Sequence, residues 1–216
     1  MDFWSPVGLS LKITAVSSVV TFVVALVVAA YMSRRSFRGK TAIETLFLLP
    51  MVLPPTVVGF LLLIILGRNS WIGQLAEWLF QAPIVFSWIA AVIASTVVAF
   101  PLVYQSCKAG FASIDGGVQD AARSEGANEW QVLRYISFPL AKRFLLSGYV
   151  LGFVRALGEF GATLMIAGNI PGKTQTIPTA IYIAVDSGRT SEAWAYTCMV
   201  ILVSFLLVWI TNRSLK

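Results

Sequence analysis

Residues 10–32 read SLKITAVSSVVTFVVALVVAAYM, an apolar run in which Lys12 is the only charged residue. A helix needs roughly 20 apolar residues to cross a hydrocarbon core about 30 Å thick, so this run predicts a membrane span. Four further stretches reach the same length, at residues 42–66, 84–107, 144–168 and 193–211. The apolar stretch at residues 176–185 is too short to cross and predicts a partial or surface helix.

The composition excludes a soluble fold. Hydrophobic residues make up 57% of the chain and charged residues 12%, whereas soluble domains carry about 25% charged residues. Too few charges remain to cover a surface that faces water. We therefore predict an all-α polytopic membrane protein with about five transmembrane helices in one domain at residues 8–213. We expect the first run to be retained, because basic residues follow it rather than precede it.

The residue types present disfavour an enzyme. The chain has no histidine, which removes the commonest metal ligand and the usual general base at neutral pH. Cys107 and Cys198 both lie in apolar stretches, where a cysteine is typically a small packing residue. We expect no catalytic residues, no metal site, no cofactor and no nucleic-acid partner.

The basic residues predict the orientation of the chain. Eleven of the 16 lie in three segments on one side of the predicted spans, at residues 33–41, 108–143 and 212–216. Short cytoplasmic loops carry the excess of Lys and Arg. We therefore expect the amino terminus outside the cell membrane and the carboxyl terminus in the cytoplasm.

The longest predicted cytoplasmic segment, residues 108–143, has the signals of a folded loop. Residues 119–123 favour a helix, Gly126 suits a turn or a helix end, and Asn128 suits the start of a second helix. Trp130 and Tyr135 follow among charged residues, and large aromatic side chains often anchor interfaces. The loop is predicted either to hold a partner or to be a solvated connector with two short helices.

One ordered set of residues runs through this loop with spacers of three, nine and one residues: Asp120-Ala121-Ala122, Gly126, Ile136 and Phe138-Pro139. This spacing resembles the cytoplasmic EAA signature of the permeases of binding-protein-dependent ABC importers, with Asp120 in place of a glutamate and Phe138 in place of a leucine. The resemblance implies the type I importer permease fold and a coupling helix that docks into a groove on a separate ATPase subunit. It assigns ATPase coupling to Asp120, Ala121, Ala122, Gly126, Ile136 and Pro139.

The second and third predicted spans contain prolines, at Pro50, Pro54 and Pro55 and at Pro101. Proline removes a backbone hydrogen bond and kinks a helix. The kinks indicate either that these spans bend around a translocation path or that the kinks only improve helix packing.

The fourth predicted span carries the sequence RALGEFGAT at residues 155–163. An unpaired charge at the centre of a span costs about 3 kcal/mol or more, and Glu159 follows Arg155 by four residues, so the two can pair. Either the pair locks the fold, or Arg155 lies near the path of an anionic cargo. Small residues at 158 and 161 allow close helix approach. The candidate path residues are Pro54, Pro55, Arg155, Gly158, Glu159, Gly161 and Thr163.

Residues 155–163 together with 167–178, and LPMVLPP at residues 49–55, resemble the molybdate branch of the same permease family. The resemblance implies a homodimer that imports molybdate with two ATPase subunits and an external molybdate-binding protein, which would contact residues 67–83 and 169–192. Alternatives are a permease for tungstate or for sulfate and thiosulfate, a stand-alone secondary transporter, and a membrane enzyme.

Residues 167–174, AGNIPGKT, fit a relaxed phosphate-loop pattern. A true phosphate loop follows a strand and opens a helix. This segment follows a predicted span and faces outside, so we expect the chain not to hydrolyse ATP.

Overall fold

The computed structural model describes residues 3–214, which form helices joined by short connections with no strand among them, so the all-α prediction is confirmed. A π-helical segment covers Val132–Ser137. The α-helices are α1 (Trp4–Arg34), α2 (Lys40–Val52), α3 (Pro55–Leu66), α4 (Trp71–Phe80), α5 (Trp88–Ala112), α6 (Gly116–Ser124), α7 (Glu129–Gln131), α8 (Phe138–Leu157), α9 (Gly161–Ala167), α10 (Ile177–Asp186) and α11 (Thr190–Ser214).

Three helices, α1, α5 and α11, are each long and apolar enough to cross a membrane. Two further segments qualify as bent pairs: α2 and α3 meet at an angle of 115°, and the helix that ends with α8 meets α9 at 57°. If each bent pair is one span, residues 3–214 contain up to five spans. The stretch at residues 176–185 corresponds to α10, which is shorter than a span.

The two prolines between α2 and α3 explain the sharper bend. Pro54 has an extended backbone, with φ −53° and ψ 135°, and Pro55 begins α3. Neither residue has an N–H to donate to the preceding turn, so the hydrogen-bond ladder is interrupted there. Helix α5, in contrast, continues through Pro101, which is buried.

The centre of the bundle is formed by α1, α5 and α8, where small residues allow close packing. Ala25 and Ala29 of α1 are fully buried. A Cβ at Gly148 of α8 would lie 2.7 Å from the Cβ of Ser106 on α5. Most of the apolar length of α11 is exposed, as expected for a helix that faces lipid.

Helix α10 closes one end of the bundle. Its Ile177 N–H donates to Ser10 Oγ of α1 at 2.7 Å. Ile177 and Ala180 are buried together with Val7 of α1 and Tyr196 of α11. The short apolar stretch is therefore half-buried against two long helices rather than lying free on the surface.

Candidate coupling loop and translocation path

The predicted coupling loop, residues 108–143, starts in the last turn of α5, and its first separate helix is α6. Asp115 caps α6 by accepting from Gly117 N at 2.8 Å. The helix ends at Ser124, and Gly126 just beyond it has φ +94°, a left-handed conformation that glycine adopts without strain. Its N–H donates to Arg123 O, and the N–H of Ala127 donates to Ala122 O, both at 3.0 Å. The prediction that Gly126 lies at a turn or a helix end is confirmed.

The second part of the loop is joined to a long helix without a break. Asn128 and Gln131 form a capping box, with hydrogen bonds of 2.9 and 2.8 Å. From Glu129 the chain stays helical through the π segment into α8, whose first turn contains Pro139. Val132 and Ser137 are buried at the two ends of the π segment. The loop is therefore joined to α8 by continuous helix from Glu129 onward.

Charged side chains tie the loop to the end of α1. Arg123 donates to Asp120 at 2.6 Å and to Glu129 at 2.7 Å. Arg34, in the last turn of α1, donates to the other oxygen of Glu129 at 3.0 Å. The hydrogen bond from Arg123 lowers the pKa of Glu129 below its ordinary value, so this carboxylate stays charged at neutral pH.

A shallow cavity of about 360 Å³ opens on the exposed side of the loop. It brings together three of the predicted coupling residues, Ala122, Gly126 and Ile136, with the exposed ring of Tyr135 at its edge. Asp120 is held by Arg123 outside this cavity. Ala121 and Pro139 do not line it either.

The bends of the two broken spans lie against each other. A Cβ at Gly161, the first residue of α9, would lie 3.0 Å from the Cβ of Pro55, the first residue of α3. One turn further along α3, a Cβ at Gly59 would lie 2.8 Å from both Cα and O of Ala162. Gly158 differs, because a Cβ there would meet only Val154 O, at 3.7 Å. The expected close approach is therefore seen at Gly161 and not at Gly158.

Arg155 and Glu159 form the ion pair that their spacing predicts, with 2.8 Å between Arg155 Nη1 and Glu159 Oε2. The Glu159 side chain is 1% exposed, and its other oxygen accepts from Ala162 N at 2.9 Å. Glu159 thus holds the end of α8 to the first turn of α9 across their bend. Arg155, in contrast, keeps 35% of its side chain exposed.

Thr163 and Pro54 complete the candidate path residues. Thr163 is buried on α9, and its hydroxyl has no hydrogen-bond partner within the described residues. Pro54 lies in the connection between α2 and α3. The structure therefore brings Pro55 close to Gly161 and pairs Arg155 with Glu159. The other three candidates, Pro54, Gly158 and Thr163, lie nearby in the chain but make no contact that defines a path.

Residues 21–214 match the family described as binding-protein-dependent transport system inner membrane component. The chain belongs to this family. It is a permease subunit, a transport component rather than an enzyme.

The relatives of the permease span nearly its whole length. YvgM of Bacillus subtilis (strain 168), provisionally named a molybdenum transport system permease protein, is 57% identical over 99% of this chain and 94% of its own. The molybdenum transport system permease protein ModB of Haemophilus influenzae is 41% identical over 98% of this chain and 95% of its own.

Solved structures share the fold. The permease superimposes with a TM-score of 0.78 on a chain of a bacterial ABC transporter that imports alginate, at 18% identity and covering 100% of this chain and 79% of the other. The MetNI methionine ABC transporter gives a TM-score of 0.72 at 17% identity, covering 97% of this chain and 93% of the other. The predicted type I importer fold is confirmed.

The phosphate-loop pattern at residues 167–174 has a different role in the permease. It connects α9 to α10, and Thr174 Oγ1 accepts from Ile170 N at 2.9 Å to close a turn with Gly172 at φ +74°. No strand precedes it within residues 3–214. The segment is a structured connection between helices.

Two features of the site were missed by the sequence analysis. Arg34 was counted only for its charge, although it holds the loop through Glu129. Glu44 of α2 accepts from Lys108 Nζ at 2.8 Å and from the Tyr104 hydroxyl at 3.2 Å. The contacts of Glu44 could have been expected, because a single carboxylate in a predicted span requires a partner.

Proposed function

We propose that the permease imports molybdate into the cytoplasm as the membrane-spanning subunit of an ABC importer. The observation that carries this proposal is the near-full-length identity to two molybdenum transport permeases, at 57% and 41%. The sequence pattern at residues 155–178, shared with the molybdate branch, agrees with it. Tungstate and sulfate remain the rival cargoes, because all three are doubly charged tetrahedral oxyanions.

The permease would act as a homodimer, with its amino terminus outside and its carboxyl terminus in the cytoplasm. Five spans enclose little space, whereas two copies related by a twofold axis enclose a central pathway. Large apolar side chains on α3, including Phe60, Leu61 and Ile64, are exposed and support burial by lipid or by a second copy. The excess of basic residues on one side supports the orientation.

Two ATPase subunits would bind the coupling loop from the cytoplasm. The cavity beside Gly126 and the exposed ring of Tyr135 provide a surface for such a partner. Movement of the loop would then travel through the π segment into α8, because no flexible connection interrupts that path. An external molybdate-binding protein would contact residues 67–83 and 169–192.

The Glu159 contacts would carry the movement onward from α8 to α9. Since α9 packs on α3 through Gly161 and Gly59, the two broken spans would shift as one unit. Arg155 lies at the bend of α8 and α9 with a third of its side chain exposed. Although Glu159 neutralises its charge, this guanidinium would still offer hydrogen-bond donors to a dianion that passes through a region of low dielectric constant.

Uptake in cells tests the proposal. A bacterium that lacks its own molybdate permease should regain molybdate accumulation at submicromolar supply when it receives this chain with its cognate ATPase and binding protein. Competition with excess tungstate or sulfate ranks the cargoes. Accumulation of sulfate that molybdate does not inhibit would reject the assignment to molybdate.

A further inference from the structure

An apolar groove lies between the end of α1 and the coupling loop. Its volume is about 690 Å³, within the range of about 300–1,000 Å³ that is typical of small-molecule sites. Its apolar lining, called the α1 groove below, consists of Leu26, Val27 and Ala30 from α1 and of Trp130, Leu133 and Phe138 from the loop and the start of α8. The groove is separate from the cavity beside Gly126 and from the bends of the broken spans.

The lining changes from apolar to basic along α1. Leu26 and Val27 begin the groove, and Arg34 and Arg35 lie at its other end, about two turns further along the helix at 1.5 Å per residue. Arg34 is neutralised by Glu129. Arg35 has no carboxylate partner within residues 3–214, and its guanidinium lies 4.7 Å over the ring of Tyr31. An unneutralised cation therefore stands at the basic end of an apolar groove.

The groove continues a face of α1 that no other segment of residues 3–214 covers. Exposed valines follow one another at helical spacing along this face and lead to Val27: Val16, Val19, Val20, Val23 and Val24. A continuous valine face on a long apolar helix is suited to acyl chains. Trp130 and Tyr31, both more than half exposed, have the amphipathic rings that favour the membrane–water boundary.

We propose that the α1 groove binds an anionic phospholipid, with an acyl chain against Val27, Trp130 and Phe138 and the phosphate beside Arg35. The proposal goes beyond the transport activity and rests only on the orientation proposed above. In that orientation Arg35 faces the cytoplasmic leaflet, whose lipids carry the negative charge. Because Glu129 and Trp130 belong to the coupling loop, the lipid would support the joint between α1 and that loop.

Quenching of Trp130 fluorescence tests the site in the full chain reconstituted in vesicles. The vesicles contain phosphatidylcholine with a minor fraction of phosphatidylglycerol, and bromine is placed on the acyl chains of one lipid or the other. The Trp130 signal is the difference between the wild type and Trp130→Phe. Brominated phosphatidylglycerol should quench this signal about fivefold more per mole, the factor that one basic residue contributes beside an anionic surface.

Arg35→Gln should reduce this preference to near parity, and Arg35→Lys should retain most of it because the charge remains. Arg38→Gln is the matched control, since Arg38 is an exposed arginine nearby that does not line the groove. It should leave the preference unchanged.

Four results would overturn the proposal. Equal quenching by the two lipids would indicate ordinary lipid contact, and no quenching by either would indicate that protein, such as a second copy, fills the groove. Equal effects of Arg35→Gln and Arg38→Gln would indicate a diffuse surface charge. Loss of the preference on adding inorganic phosphate would indicate a site for a free anion. None of these readouts depends on transport, so the lipid site and the proposed molybdate cargo can be rejected independently of each other.

Discussion

Gly161 packs against Pro55 so closely that a Cβ at position 161 would lie 3.0 Å from the proline Cβ. These residues begin α9 and α3, the second halves of the two bent spans. The bends are therefore built against each other rather than placed independently. A displacement of one is expected to move the other.

Gly59→Ala tests the contact between α3 and α9. The new Cβ would lie 2.8 Å from Cα and O of Ala162, and backbone atoms cannot give way as a flexible side chain does. Overpacking of this kind typically costs about 1–3 kcal/mol. The thermal unfolding midpoint of the purified protein in detergent should fall.

Gly8→Ala is the matched control, because a Cβ at that position in α1 meets nothing within 4 Å. Its midpoint should stay the same or rise, since alanine is favoured over glycine inside a helix. Equal midpoints for the two variants would contradict the close packing at Gly59.

Removal of the Glu159 carboxylate should destabilise the bend between α8 and α9. Glu159→Gln loses the charge that neutralises Arg155 but retains an oxygen for Ala162 N, whereas Glu159→Ala loses both. A fully buried pair that loses one partner costs about 3–5 kcal/mol, and the exposure of Arg155 reduces this value. Thermal melting should rank wild type above Glu159→Gln and that variant above Glu159→Ala.

The double variant Arg155→Met, Glu159→Gln separates structure from transport. It should recover much of the stability, because no charge is left unpaired, and still fail to move molybdate. Uptake at the wild-type rate by this well-expressed variant would show that Arg155 has only a structural role.

Gly126→Val should abolish transport and transport-linked ATP hydrolysis while the protein still inserts. A Cβ at this position meets nothing within 4 Å, so the penalty arises from φ +94° and not from a clash. Gly126→Asn is the control, because asparagine tolerates the left-handed region far better than valine. Normal uptake by Gly126→Val, or an equal loss of uptake in both variants, would argue that transport does not require a left-handed backbone at position 126.

The sequence predicted those features that depend on local spacing. Arg155 and Glu159 pair because residues four apart share a helix face, and Asn128 caps a helix because its side chain reaches the third residue on. The apolar runs predicted about five spans, which agrees with the structure if each of the two bent pairs in residues 3–214 is one span. The length of an apolar run is visible in the sequence, whichever segments pack against it in the fold.

Contacts between distant segments were not predictable in this way. Arg34 meets Glu129, and Glu44 meets Lys108, only because separate helices end side by side. The close approach expected at Gly158 is not seen because glycine permits such an approach without requiring it, and a Cβ there would meet only Val154 O within 4 Å among residues 3–214. Pro50 and Pro101 lie inside helices, whereas Pro54 lies at a break between two helices. Pro54 has a second proline beside it, and the importance of that neighbour is evident only once the fold is known.

Cysteine labelling tests the orientation. In a background without Cys107 and Cys198, a cysteine at Ser36 or Ser124 should react only from the cytoplasm. A cysteine at Asn69 or Ser187 should react only from outside. Asn69 is preferable to the neighbouring Ser70, whose hydroxyl caps α4. Labelling of Asn69 and Ser124 positions from the same side would contradict the five-span arrangement.

Uptake of radioactive molybdate into proteoliposomes tests the central claim most directly. The vesicles contain the permease with its ATPase subunits, and the external binding protein is added outside. We predict uptake that requires ATP, the binding protein and an intact coupling loop, and that Gly126→Val abolishes. Molybdate uptake by the permease alone, driven by an ion gradient without the ATPase, would contradict the account.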